Sequence, residues 1–384
     1  MENVKKLKVS QMEKFILSAI NVQMAANQNG HSVSTLWISG SPGIGKTWSV
    51  ANICRKNDFG LAAKYVATMM LEQITGLPKA LNKVGDEETE WTKPQLFSLK
   101  NLEVVPSNNE RPIILFLDDA HLCNKSIQSY LFQLLTYRSI HSHKLPKNVV
   151  IIMAGNRSSD KAGFQQILAP ISNRLYFLDI DSDVDDWVEN FASSNGVRTD
   201  IILFLKNNPI HFQNQPIESG AWASPRSWTY ASLMLDQFES ESAIDIDTMT
   251  RIVSGHVGIE AATEYVKYRE LMIKWESHLI LDGLKEIPKT NNKMESYTLM
   301  SACISELMTR YRKNSYVIND HLNKNIDILG KIFENMMSHS KEIIPLGLKV
   351  FLMGEGESTN SKSVLVKKLL NNKELVDMIL SIIN

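Results

Sequence analysis

The chain has 384 residues, enough for two or three structural units with substantial cores. Hydrophobic residues make up 43% and charged residues 22%, and 41 basic side chains against 42 acidic ones leave a net charge of −1; no global field points to nucleic acid or a membrane surface, and only a local patch would. Cys54, Cys123 and Cys303 are too far apart for metal-ligand spacing, which argues against a disulfide scaffold or zinc ribbon and for a reducing compartment.

At the N-terminus, MENVKKLKVSQMEKF carries charge with no apolar run behind it, unlike a signal peptide. Residues 11–27 place Ile16, Ile20 and Met24 at helical spacing and predict an amphipathic helix. The run 35–39, stopped by Gly40, predicts a buried strand, and similar short runs follow at 63–69, 113–117, 149–154 and 175–180. None of these is long enough to span a bilayer, so a cytoplasmic protein without a membrane span is expected. Helical patterns such as 125–137 separate several runs, and that alternation predicts a mostly parallel sheet covered on both faces. Beyond Asp181 the pattern turns helical, with helices expected over 185–194, 200–207, 227–239, 259–283 and 297–313 and a strand only at 349–353. Polar stretches at 240–247, 288–295 and 354–363 read as loops.

Gly40-Ser41-Pro42-Gly43-Ile44-Gly45-Lys46-Thr47 matches G-x-x-x-x-G-K-[ST] in full, between a predicted strand and a predicted helix over 48–55. Glycines let the backbone curl so that several N–H groups face phosphate oxygens, and the helix N-terminus adds positive potential. In such a loop Lys46 reaches the β- and γ-phosphates of ATP and the Thr47 hydroxyl ligates Mg²⁺. The pattern arises by chance in on the order of one chain in a hundred. The strand 113–117 runs into Asp118-Asp119. Alone this would be a solvated turn; beside a phosphate loop, Asp118 is the metal-side carboxylate and Asp119 the group that polarises water. Asn156, after the apolar run 149–154, would orient that water or touch the γ-phosphate if its strand lies between the other two. Arg174 precedes the run 175–180 and is a candidate finger for a neighbouring subunit's γ-phosphate, the plainer alternative being a surface ion pair. Arg226 follows Pro225 at a predicted helix start, placed to report nucleotide state to the helical unit.

The ordered set SGSPGIGKT, LFLDDAH, IIMAGNRSSD, ISNRLYFLDI, DVDDWVENFA and ASPRSWTYAS resembles the MoxR-like group of AAA+ ATPases, well over roughly residues 36–270 and loosely beyond. The resemblance implies an α/β fold: a P-loop αβα sandwich on a parallel sheet over 1–180, an all-helical lid over 181–283 and a C-terminal helical extension over 284–384. It implies Walker A at Gly40–Thr47, Walker B at Asp118 and Asp119, sensor 1 at Asn156, an arginine finger at Arg174 with Arg157 as a second candidate, and sensor 2 at Arg226. It further implies a homo-oligomer, usually a hexameric ring with ATP between subunits, a chaperone-like remodelling role and a partner carrying a von Willebrand A-like domain. Residues 70–99 and 137–147 fit two inserts of the group. The second is basic and His-rich, suited to an acidic partner or nucleic acid, although a solvated hairpin is the plainer reading; His141 and His143 lack a third metal ligand.

One departure is Asp119, where the group has Glu. The shorter side chain implies slower hydrolysis. It keeps open a third reading, an ATP-bound assembly scaffold, beside a remodelling motor and a nucleic-acid-handling ATPase of loader or helicase type. Residues 356–363 look like a second phosphate loop but carry Ser361 where Gly is required, and read as a plain loop.

Overall fold

Short runs of Ile, Val and Leu that are apolar on both faces become a parallel sheet, because such strands are stable only when helices cover both sides. The computed structural model describes residues 6–354 apart from 84–85, 158–159, 161–164, 215–219, 242, 314–319 and 337–342. The lookalike loop at 356–363 therefore lies outside the described residues. The chain divides into two units, Met1–Asp183 and Val184–Asn384.

The first unit runs β1 (Leu7–Lys8), α1 (Met12–Asn29), β2 (Thr35–Ser39), α2 (Lys46–Asn57), β3 (Gly60–Tyr65), α3 (Leu71–Thr75), β4 (Pro78–Lys83), β5 (Asp86–Trp91), β6 (Ile113–Asp118), α4 (Lys125–Tyr137), β7 (Ser139–Ile140), β8 (His143–Lys144), β9 (Val149–Gly155), α5 (Ala169–Ser172) and β10 (Leu175–Asp181). Six strands pair in the order β1-β10-β2-β9-β6-β3, all parallel. Alternate residues supply opposite faces. Leu36, Ile38, Ile114, Phe116 and Ile152 meet Ile16 and Ile20 of α1 and Val50 and Ile53 of α2. Trp37, Leu115, Leu117, Ile151 and Met153 pack with Leu131, Leu134 and Leu135 of α4 on the other face. The phosphate-loop motif follows the strand flanked by β10 and β9, and the parallel sheet with helices on both faces is the αβα sandwich expected.

Two details differ. The strand expected over 63–69 is Gly60–Tyr65, and it gives way at Val66–Thr68 to a 3-10 turn. Gly60 can start it because a Cβ there would stand 2.9 Å from Ile113 Cγ1, so only glycine sits flush against β6. Residues 70–99 contain an antiparallel hairpin, β4 with β5, whose charged sequence gave no apolar alternation to read.

Among the described residues, the regular elements of the second unit are helices: α6 (Val184–Trp187), prolonged by a π turn at Val188–Ala192, then α7 (Thr199–Asn207), α8 (Pro225–Glu241), α9 (Ile246–Val257), α10 (Ile259–Ile273), α11 (Ser277–Asp282), α12 (Lys293–Lys313), α13 (Asp320–Met336) and α14 (Ile344–Gly354), with an isolated antiparallel bridge between Asn214 and Ala223. The single helix expected over 259–283 breaks where Glu276 takes a left-handed φ of 51°. The neighbouring Trp275 indole is anchored on Thr298 Oγ1 at 3.0 Å. The expected strand 349–353 falls in α14, since short apolar runs do not distinguish strand from buried helix. Gly347 lets that helix lie against α12, as a Cβ there would come 2.4 Å from Met300 Sδ. Phe204, Trp228, Tyr265, Tyr268 and Tyr297 form the aromatic centre of the core. Beside it lies a charged knot. Arg198 binds Asp200 at 2.8 Å, Asp236 at 2.9 Å and Glu239 at 2.7 Å, while Arg269 binds Asp200 at 2.8 Å. Burial alone would raise the Asp200 carboxyl, but the two guanidiniums hold it well below the usual carboxylate range. No described helix is long and apolar enough to cross a membrane.

Candidate phosphate-binding site

The sheet's polarity gathers the chain's most chemically specific residues at one end. All strands run the same way, so the segments leaving β2, β6 and β9 emerge side by side. β9 lies between β2 and β6, which puts Asn156 between the phosphate loop and the acidic strand end. The loop Gly40–Thr47 turns tightly: Gly43 and Gly45 have φ of 78° and 98°, values that L side chains rarely adopt. Gly40 is fixed by crowding, since a Cβ would stand 2.5 Å from Ile44 Cδ1 and 2.9 Å from the Ile180 carbonyl. α2 begins at Lys46, two residues before the expected start, with Gly45 as its N-cap, so its first-turn N–H groups open onto the loop.

Lys46 is buried beneath the loop. Its ammonium donates to Gly40 O at 2.6 Å, Ser41 O at 3.0 Å and Asn156 Oδ1 at 3.0 Å. The Thr47 hydroxyl donates to Asp118 Oδ2 at 2.5 Å. Burial raises the Asp118 carboxyl above its usual value, with the Thr47 hydrogen bond opposing the shift. This donor set fits Mg²⁺ with a polyphosphate: a hydroxyl and a carboxylate share one edge, and a divalent cation would offset the penalty of burying the carboxylate. Asp119 has a left-handed backbone, φ 52° and ψ 29°, and its side chain is 44% exposed, so it reaches toward solvent beside the loop.

The other arginines stand elsewhere. Arg174 lies just before β10, at the opposite end of the sheet: its carbonyl accepts from Thr35 N at 2.9 Å, level with the start of β2. That is about 16 Å along the strand direction from Gly40. Its guanidinium caps Pro170 O at 2.8 Å and lies 4.4 Å from the Phe132 ring centroid. Arg157 turns inward in its own chain. It donates to Asp179 at 2.6 Å, to Ser41 Oγ at 3.3 Å and to Ile180 O, tying the ends of β2, β9 and β10 together. Asp160 joins this brace, accepting from Ser41 Oγ at 3.3 Å and from Arg157 N at 3.2 Å. Arg226 belongs to the second unit, exposed in the first turn of α8. Reciprocal Ser224–Ser227 hydrogen bonds of 2.7 and 3.1 Å fix that helix start.

Two residues, His121 and Trp91, escaped the sequence reading. His121, inside LFLDDAH, is completely buried against Asn156, and Gly155 clears the space for it. A lone histidine carries no signal of such a role, although its place three residues after Asp118 was visible. The two inserts also meet: the His141 ring stacks on Trp91 at 4.0 Å and 7°, and His143 Nε2 lies 2.6 Å from the Trp91 carbonyl oxygen. No cluster of three or more metal-ligating His, Cys, Asp or Glu occurs among the described residues.

No protein-family model matches the chain. Among solved structures, it is similar to a point mutant of Thermotoga maritima RuvB, with 15% identity, coverage of 72% of this chain and 76% of that one, and a TM-score of 0.34. The Thermotoga maritima RuvB Holliday junction branch migration motor overlaps 86% of this chain and 85% of its own at 12% identity and a TM-score of 0.30. Likeness at these scores carries no argument; the strand order and the loop are the chain's own observations.

Proposed function

We propose that this protein is an ATP-hydrolysing AAA+ motor of MoxR-like type that assembles into a ring and remodels a protein partner. The observation that carries the reading is the meeting of three strand ends: Lys46 under the loop, Thr47 Oγ1 at 2.5 Å from Asp118, and Asn156 from the intervening strand at 3.0 Å from Lys46. The loop amides and Lys46 would bind the β- and γ-phosphates, and Thr47 with Asp118 would hold Mg²⁺. That ion supplies charge neutralisation on the phosphoryl oxygens. Asp119 takes the proton of the attacking water, and Asn156 orients that water. Arg174 points away from its own loop, so it serves the nucleotide of a neighbouring subunit, while Arg226 couples nucleotide state to the helical lid of 181–283. A partner with a von Willebrand A-like domain remains part of this reading on the family resemblance alone.

The test is ATP turnover by the purified chain, alone and with DNA or RNA. Lys46→Ala abolishes turnover and Arg174→Ala lowers it by about a thousandfold. When the two inactive chains are mixed, activity returns, because hybrid interfaces pair an intact loop with an intact arginine. A silent mixture, or an active Arg174→Ala protein, refutes the shared site. Stimulation by nucleic acid that collapses with salt would favour a nucleic-acid-handling ATPase instead.

A further inference from the structure

The acidic strand end and the Asn156 tip are joined by a residue to which the proposed chemistry gives no part. His121 is 0% exposed. Its Nε2 lies 3.1 Å from Asn156 Nδ2, and its Nδ1 lies 4.0 Å from Asp119 Oδ1. The amide direction is settled on the other side, because Asn156 Oδ1 accepts from the Lys46 ammonium and the NH₂ group must therefore face the ring. Nε2 is then the acceptor, and in the neutral imidazole the proton sits on Nδ1, the nitrogen that faces Asp119. The ring thus sets the direction of the Asn156 amide, while the Asp119 carboxylate stands 4.0 Å off, beyond hydrogen-bond distance. The backbone is arranged to admit it. A Cβ on Gly155 would stand 3.0 Å from His121 Cβ, 3.2 Å from His121 Nδ1 and 2.6 Å from Trp37 Cζ2. The His121 carbonyl is held as well, accepting from Gln165 N at 2.8 Å.

We infer that His121 is a positioning residue for the hydrolytic step: it holds the Asn156 amide, whose oxygen meets Lys46, in the direction that orients the attacking water. This rests on the ATPase reading above. A ring buried only for packing would be replaceable by another ring.

The experiment measures ATP turnover and ATP affinity separately on the full chain. His121→Phe fills the space without an acceptor: turnover falls about tenfold to a hundredfold, while ATP affinity stays within about twofold because the loop is untouched. His121→Gln, which keeps an acceptor, recovers most of the turnover. Combining His121→Phe with Asn156→Ala costs no more than Asn156→Ala alone, the signature of residues acting through one another. Gly155→Ala serves where the Phe variant does not fold: it presses on the ring without changing any polar group, and lowers turnover at unchanged affinity. Full turnover in His121→Phe, or additive losses in the double variant, would overturn the inference. An unmodified chain that binds ATP but never hydrolyses it refutes the ATPase reading itself, and the inference with it.

Discussion

Asp200 and Gly40 show how single residues set what this fold tolerates. Asp200 is fully buried between Arg198 and Arg269, and its carboxyl is held low by their charges against the opposing effect of burial. A carboxylate depressed in the folded state adds stability at pH values above its unfolded pKa of about 3.9, and loses it as pH falls through the lower folded value. Chemical denaturation of the second unit should therefore show constant stability at neutral pH and a decline only on strong acidification. Asp200→Asn should lower stability by about 3–5 kcal/mol at neutral pH by leaving two buried guanidiniums short of charge; a change under about 1 kcal/mol would show that Asp236 and Glu239 suffice. Gly40→Ala must displace the loop against the Ile180 carbonyl, so ATP affinity should drop even though no polar group is lost. At this scale the sequence was legible where chemistry has a pattern, as at Lys46 and Thr47. It was silent on His121 and on the inward turn of Arg157, because partners distant in sequence decide both.

Elements were readable in proportion to how much burial drives them. β6 and β9 are buried from end to end, and their apolar runs announced them. The β4–β5 hairpin and the helix Ile246–Val257 did not announce themselves. The first is charged, and the start of the second was absorbed into a polar loop, although Asp245 caps it by accepting from Thr248 N at 2.7 Å. The stretch 349–353 reads as a strand because its four apolar residues, Val350 to Met353, fit either period until the packing of α14 on α12 is known. Between the two inserts, Trp91 carries the joint through its ring and its carbonyl. Trp91→Ala should raise amide hydrogen exchange across Ser139–Lys144 as well as in β4 and β5. Unchanged exchange in Ser139–Lys144 would mean that the second hairpin stands by its own contacts.

For the whole molecule, alternating strands and helices followed by helices alone were enough to foresee a parallel sandwich and a helical second unit. The strand order was not legible, because pairing is decided by crossover geometry and not by any one segment. Once the order is known, Gly40–Thr47 is seen to leave one end of the sheet and Arg174 to precede the other. Turnover per chain should accordingly rise with protein concentration, as measured by diluting the enzyme through its assembly range, and a flat profile with monomeric protein would refute a shared site. The same polarity leaves two ways to bring one copy's arginine to another's loop: a two-fold pair with reversed strand direction, which makes both exchanges at once, or a head-to-tail contact that every added copy repeats. The proposed ring requires the second. In such an assembly each addition would leave one socket and one plug unused until the last copy met the first, so the rotation per step, not the chemistry of the contact, would decide whether it closes and whether its number is odd or even.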